Sequence, residues 1–256
     1  MLSLKNKIVF ITGASAGIGA ACATEFAKVG ANLILSARRK EKVDELADKL
    51  RAEYGIKTLA FKLDVKDKAE IKAVIDAIPV EWKSIDILLN NAGLGRGLNK
   101  VYEDDPENWE EMIETNVKGL LHVTRNIVPG MVLRGTGHVI NLGSIAGHMA
   151  YPGGGVYCAT KHAVKAISDS MRMELVDKNV RVSSVDPGMV ETEFSVVRFG
   201  GDEERAKNVY KGVDPLTAED IADAVMFVAT RKPHVNINEM IIMPSVQANA
   251  FVTHRR

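Results

Sequence analysis

Thr12-Gly13-Ala14-Ser15-Ala16-Gly17-Ile18-Gly19 decides how this chain is read. It follows directly on the apolar run Lys7 to Thr12 and opens an amphipathic stretch that continues to Val29. Glycine is needed where backbone comes close to a pyrophosphate and where a helix packs tightly on a strand. The helix N-terminus then offers free N–H groups and a partial positive charge to the phosphates. A glycine trio alone is weak, and a purely structural turn would use the same residues. Its place after a first strand and before a first helix makes it a dinucleotide fingerprint, with contacts expected from Gly13, Ser15, Gly17, Ile18 and Gly19.

Working outward, short runs rich in Ile, Val and Leu alternate with longer amphipathic windows. Strands are expected at Lys7 to Thr12, Asn32 to Ser36, Lys57 to Leu63, Asp86 to Asn90, Gly137 to Leu142, Val180 to Val185 and Glu239 to Met243. Their lack of internal alternation fits strands covered on both faces. Helices are expected at Gly17 to Val29, Lys40 to Tyr54, Lys68 to Ala77, Pro106 to Leu133, Gly155 to Lys178 and Ala218 to Thr230, with Asp67 and Thr217 as N-caps and Gly55 as a stop. Regular alternation implies an α/β class, doubly wound and mostly parallel, forming one domain over residues 1–256. Met189 to Asp214 breaks the rhythm: it is long, charged, and reads as a lid carrying a short helix around Asp202 to Lys211.

Composition narrows the class of function. The 256 residues are 46% hydrophobic and 26% charged, with zero formal net charge, so bulk charge gives no argument for nucleic acid or an anionic membrane. No apolar run approaches the ~20 residues that span a bilayer, and the N-terminus lacks the pattern of a signal peptide. Cys22 and Cys158 have no metal-ligand spacing, and a reduced, cytoplasmic protein without a metal site is the simplest expectation.

The end of the second strand bears on the cofactor. An acid there would hold a ribose 2′-hydroxyl, but the run is Ser36-Ala37-Arg38-Arg39-Lys40. Two guanidiniums suit a 2′-phosphate, so NADP is expected rather than NAD, with Arg38 ahead of Arg39 and Ser15 assisting. A solvated basic helix start is the alternative, although cations are unfavourable at that end of a helix. Asp64 and Val65 end the third strand, where an acid can meet the adenine amino group; Asp64 as a helix-side cap is the competing reading. Asn91, Ala92 and Gly93 end the fourth strand, and their small size lets the chain pass a cofactor closely.

Ser144, Tyr157 and Lys161 supply the chemistry. Tyr157 and Lys161 stand at i and i+4 on one helix face, and Ser144 follows a strand at the carboxyl edge where such sheets bind ligands. Hydride transfer at an alcohol carbon needs a base for the hydroxyl proton, and the reverse needs an acid at the same oxygen. A free tyrosine has a pKa of ~10, roughly 4 kcal/mol from neutrality, and the nearby Lys161 ammonium together with a positive nicotinamide is expected to draw it downwards. Ser144 can hydrogen-bond the substrate oxygen.

With these residues in hand, the chain resembles the short-chain dehydrogenase/reductase family over essentially its whole length. The matching elements are Thr12 to Gly19, Asn90 to Gly93, Asn116, Ser144, Tyr157, Lys161 and Asp186-Pro187-Gly188. The resemblance implies a seven-stranded Rossmann-like sheet, with Asn116, Ser144, Tyr157 and Lys161 as the catalytic tetrad. It implies a proton relay from Tyr157 through the cofactor ribose and Lys161 to water near Asn116. It also implies cofactor contacts from Tyr157, Lys161, Pro187, Gly188, Val190 and Thr192. The stretches Ser144 to Tyr157, Glu193 to Asp202 and Val235 to Asn238 look like the NADP-dependent 3-hydroxy acid dehydrogenase branch, acting on L-serine, L-allo-threonine and related acids. Members are commonly homotetramers.

A 3-hydroxy acid carries a carboxylate, so Arg198, Arg205 and Arg96 are candidate receptors, each equally readable as a solvated arginine. Tyr151 is a candidate wall of the substrate site, or core. His148 is a candidate at the mouth, whereas His138 reads as a surface group and Cys158 as a small core residue. Two readings compete with the hydroxy acid dehydrogenase: a carbonyl reductase of a bulkier ketone, and a non-catalytic NADPH-sensing module.

Overall fold

The computed structural model describes residues 2–256. Seven strands form one parallel sheet in the order β3-β2-β1-β4-β5-β6-β7. They are β1 (Ile8–Thr12), β2 (Asn32–Ala37), β3 (Thr58–Lys62), β4 (Ile87–Asn90), β5 (Gly137–Leu142), β6 (Val180–Pro187) and β7 (Glu239–Ile242). The chain winds outward from β1 to β3, then returns to start β4 on the other side of β1. That reversal opens a crevice above the carboxyl ends of β1 and β4.

Alternation within the strands divides the core between the two faces. Val9, Ile11, Leu33 and Leu35 pack under α1 (Gly17–Lys28), α2 (Lys40–Tyr54) and α9 (Ala218–Ala229). Phe10, Ile34, Leu88, Val139 and Val182 point the other way, against α3 (Lys68–Ala77), α5 (Leu120–Arg134) and α6 (Gly155–Glu174). The expected caps form: Asp67 accepts from the amides of Ala69 and Glu70, Thr217 and Asp220 make a capping box, and Gly55 ends α2 at φ 67°.

Three expectations need correction. The single helix from Pro106 to Leu133 is instead α4 (Pro106–Ile113), a π-helical turn (Glu114–Gly119) and α5. The wider turn follows from two tertiary contacts: Asn116 is drawn onto Leu94, and Gly119 lies so close to Val65 that a Cβ would come within 2.7 Å of it. The lid holds two helices rather than one, α7 (Glu193–Arg198) capped by Thr192 and α8 (Glu203–Val209) capped by Asp202. His138 is not a surface group. It sits 2% exposed on β5 against the Ser183 hydroxyl, and burial pushes its pKa well below the usual range. The periodicity of a doubly covered strand has no polar face on which to leave it.

No helix among the described residues is long and apolar enough to cross a membrane. Both cysteines are buried and free.

The glycine turn is tight enough to test. A Cβ on Gly19 would lie 2.4 Å from the Gly13 carbonyl, backbone that cannot step aside, whereas Gly200, in the left-handed region at φ 63°, has nothing within 4 Å. Gly19→Ala is therefore expected to lower unfolding free energy by about 3 kcal/mol, and Gly200→Ala by about 1 kcal/mol. Urea denaturation of the two variants measures both.

Candidate active site

The crevice is a cavity of about 440 Å³. Its lining includes twelve of the residues singled out for the cofactor: Gly13, Ser15, Gly17, Ile18, Arg38, Arg39, Asp64, Val65, Asn91, Ala92, Gly93 and Thr192. Asn91 holds the floor together, donating from Nδ2 to the carbonyls of Thr12 and Gly13 while its own amide donates to Thr12 Oγ1. Gly13 has φ 68°, and a Cβ there would meet Asn91 at 2.9 Å. These close approaches leave room for an extended dinucleotide along the bare backbone, so the residues present fit that group.

The basic turn after β2 is shared with acids. Arg39 donates to Ser15 Oγ from Nε and Nη2, at 3.2 and 3.1 Å, and lies 2.8 Å from Glu193 of the lid. Arg38 is freer, with Glu111 at 3.9 Å. Asp64 accepts from the Lys66 amide and does not cap α3, a task that falls to Asp67.

Six singled-out residues stand off the cavity wall, Tyr157 and Lys161 among them. Gly19 serves the helix–strand contact. Pro187 ends β6, and Gly188 packs on Met243 and Gln247 of the C-terminal tail. The Val190 carbonyl is held by the Tyr210 hydroxyl at 2.8 Å. The wall also takes in Glu193, Phe194 and Val197, which sequence reasoning passed over because only folding brings the lid onto the nucleotide cleft.

Ser144, Tyr157, Lys161 and Asn116 are all buried, at 9%, 8%, 8% and 2% exposure. Lys161 donates to the Leu142 carbonyl at 2.8 Å, and its ammonium lies 5.9 Å from the Tyr157 ring centre. Burial lowers its pKa from 10.5 to about 8, with Asp186 opposing. Tyr157 moves up to about 12, because burial outweighs the pull of Arg198 and Ser144. In the chain by itself burial therefore keeps the phenol protonated, and the lowering expected from Lys161 together with the nicotinamide needs the cofactor's charge. Ser144 accepts from the Ala146 amide at the start of the turn Ile145–Gly147. Asn116 spends both amide hydrogens, on Leu94 O and Thr160 Oγ1, and accepts from the Leu94 amide. It braces the loop after β4 against α6, and no amide hydrogen is left for a ligand.

The lid closes over Tyr157. Phe194 lies 5.6 Å from the tyrosine ring, and the Arg198 guanidinium stacks 4.9 Å above it while donating to Tyr151 OH at 3.0 Å. Arg198 Nε is buried with no hydrogen-bond partner. The other arginines are elsewhere or engaged: Arg205 stacks on Phe199, and Arg96 is held by Glu111 and the Val197 carbonyl. Folding also gathers His148, Asp186 and Glu239, whose ligand-type atoms lie within 4.8 Å of one another; Asp186 takes His148 Nε2 at 3.0 Å and Glu239 takes Lys165 at 2.7 Å.

Residues 7–200 match the sequence profile of the short chain dehydrogenases. The chain belongs to that family. It is 45% identical over 257 residues to an NADP-dependent 3-hydroxy acid dehydrogenase of Schizosaccharomyces pombe, covering 100% of this chain and 99% of the relative. It is 42% identical to sulfoacetaldehyde reductase 2 of Chromohalobacter salexigens, over 98% of this chain and 99% of that one. A solved structure of the closed form of serine dehydrogenase complexed with NADP+ superposes with a TM-score of 0.91 at 43% identity, over 97% of this chain and 99% of its own.

The buried lysine generates a stability prediction. The folded chain releases the Lys161 proton near pH 8 and the unfolded chain near 10.5, so the unfolded state binds more protons between these values and stability rises with pH across that window. At neutral pH the depressed pKa corresponds to a cost of about 3 kcal/mol, and a replacement leaves the Leu142 carbonyl without its donor at about 1 kcal/mol. Lys161→Met should then stabilise the chain by about 2 kcal/mol at pH 7 and lose the rise above pH 8, both visible in denaturant midpoints measured across pH.

Proposed function

We propose that this chain is an NADP-dependent dehydrogenase of small 3-hydroxy acids of the L-serine, L-allo-threonine and 3-hydroxyisobutyrate kind. The observation that carries the substrate class is Arg198: a guanidinium stacked over Tyr157 inside the closed lid, with an unbonded Nε. A carboxylate two carbons from a hydroxyl-bearing carbon matches a cation placed beside the acid/base, and a guanidinium can receive it through paired charge-assisted bonds. The relatives' names support an anionic substrate, one carrying a carboxylate and another a sulfonate.

Bound NADP+ supplies the hydride acceptor, and its positive nicotinamide favours the phenolate. The chain's own residues handle the proton and the alignment. Tyr157 takes the 3-hydroxyl proton at its phenolic oxygen as the C–H hydride leaves, so the alcohol becomes a ketone or aldehyde, the cofactor is reduced and one proton passes to the enzyme. Ser144 Oγ donates to the reacting oxygen. Lys161 stabilises phenolate and can hold the ribose, while Asn116 braces the loop that Lys161 and Tyr157 face. Phe194 and Arg198 exclude water from above. Ser15, Arg38 and Arg39 would hold the 2′-phosphate. Run in reverse, the protonated Tyr157 is the acid.

The test is cofactor reduction by purified protein. NADP should be reduced faster than NAD, fastest with L-serine, L-allo-threonine or 3-hydroxyisobutyrate, and slowly with simple secondary alcohols. Tyr157→Phe should cut kcat by at least about 10³-fold with the NADPH dissociation constant nearly unchanged. Activity confined to uncharged alcohols, or wild-type turnover by the phenylalanine variant, contradicts the proposal.

A further inference from the structure

Glu193 is the first residue of α7, and its carboxylate reaches out of the lid to the basic turn after β2. One oxygen lies 2.8 Å from Arg39 Nη2 and the other 3.5 Å from Lys42 Nζ. The same Nη2, together with Nε, also donates to Ser15 Oγ, and Ser15, Arg38, Arg39 and Glu193 line one continuous cleft. The guanidinium nearest the glycine turn thus already carries an anion supplied by the chain.

We propose that Glu193 is an internal counter-anion of the 2′-phosphate cradle, competing with the cofactor's phosphate for Arg39 and so setting how strongly the chain separates NADP from NAD. The proposal rests on the reading of Ser15 and Arg39 as that cradle. A phosphate carrying nearly two charges on Arg39 would stand beside an ionised carboxylate, and like charges a few ångströms apart repel even near a protein surface. Arg39 and Lys42 keep Glu193 below the usual carboxylate range, so it is charged at neutral pH. A cofactor with a bare 2′-hydroxyl has no second anion to accommodate and leaves the pair intact.

The acid also belongs to the lid. Thr192 caps α7 immediately before it, and Phe194 immediately after it packs on Tyr157. The contact that the phosphate disturbs is therefore one residue from the side chain that covers the acid/base. Arg38, whose acid Glu111 stands off at 3.9 Å, remains free to take the phosphate first. An ordinary exposed ion pair with no such role would be worth little and would leave both cofactors' affinities unchanged on removal.

Dissociation constants for NADPH and NADH, measured by nicotinamide fluorescence at low salt on the full chain, test this with Glu193→Gln, Arg39→Ala and the double variant. Glu193→Gln should bind NADPH tighter by on the order of fivefold and NADH within about twofold, with the gain shrinking as salt is added. In the Arg39→Ala background, the glutamine should add nothing. Unchanged or weaker NADPH binding by Glu193→Gln, or equal tightening for both cofactors, overturns the proposal. Full NADPH affinity in Arg39→Ala overturns it differently, by removing the cradle on which it rests. A misfolded variant cannot mimic a gain in affinity for one cofactor.

Discussion

Everything in this molecule depends on how closely the ends of β1 and β4 approach. Asn91 stitches them, its side chain on the Thr12 and Gly13 carbonyls and its amide on the Thr12 hydroxyl. Only glycine at positions 13 and 19 permits that distance, because any Cβ would enter the space used by the asparagine or by backbone. The crevice, the helix N-terminus that faces it and the loop that carries Gly93 toward Lys161 all follow from this one junction. The chemistry is then arranged along the same carboxyl edge, where β5 delivers Ser144 and supplies the carbonyl that holds Lys161.

Around the junction, the fold keeps polar groups where water would suit them better. Lys161 is held near pKa 8 and Tyr157 near 12, each displaced by burial in the direction of its neutral form. A site so arranged hands a proton easily to a carbonyl and needs added positive charge to take one from an alcohol. The chain supplies part of that charge through Arg198, the same group that suits a substrate carboxylate. On the proposed function, recognition of the anion and tuning of the phenol fall to one guanidinium. Such burial costs stability, and it is retained where function requires it.

The sheet was legible in the sequence because strands covered on both faces are apolar without alternation, and their ends fell within a residue or two of expectation. The glycine turn and the set Ser144, Tyr157 and Lys161 were legible because their spacing survives folding: i,i+4 on a helix means one face. The break at Asn116 was not, since the window Pro106 to Leu133 has an unbroken helical pattern and the π-turn arises from contacts made only in the folded chain, Asn116 to Leu94 above all. Nor was the choice among arginines: Arg96, Arg198 and Arg205 look alike in sequence, and only packing sends one over Tyr157, one to Glu111 and one to Phe199. The lid acid was missed for the same reason, with 151 residues separating Lys42 from Glu193.

The central claim is that Arg198, poised over Tyr157, selects an anionic substrate. The most direct measurement compares kcat/KM for a 3-hydroxy acid and for its uncharged amide in the wild type and in Arg198→Met. Losing a charge-assisted bond should cost the acid on the order of tenfold to a hundredfold, while the amide changes by no more than about threefold, so that the preference for the acid collapses. Equal losses for acid and amide would contradict the account, leaving Arg198 as packing over the tyrosine and the carboxylate receptor elsewhere.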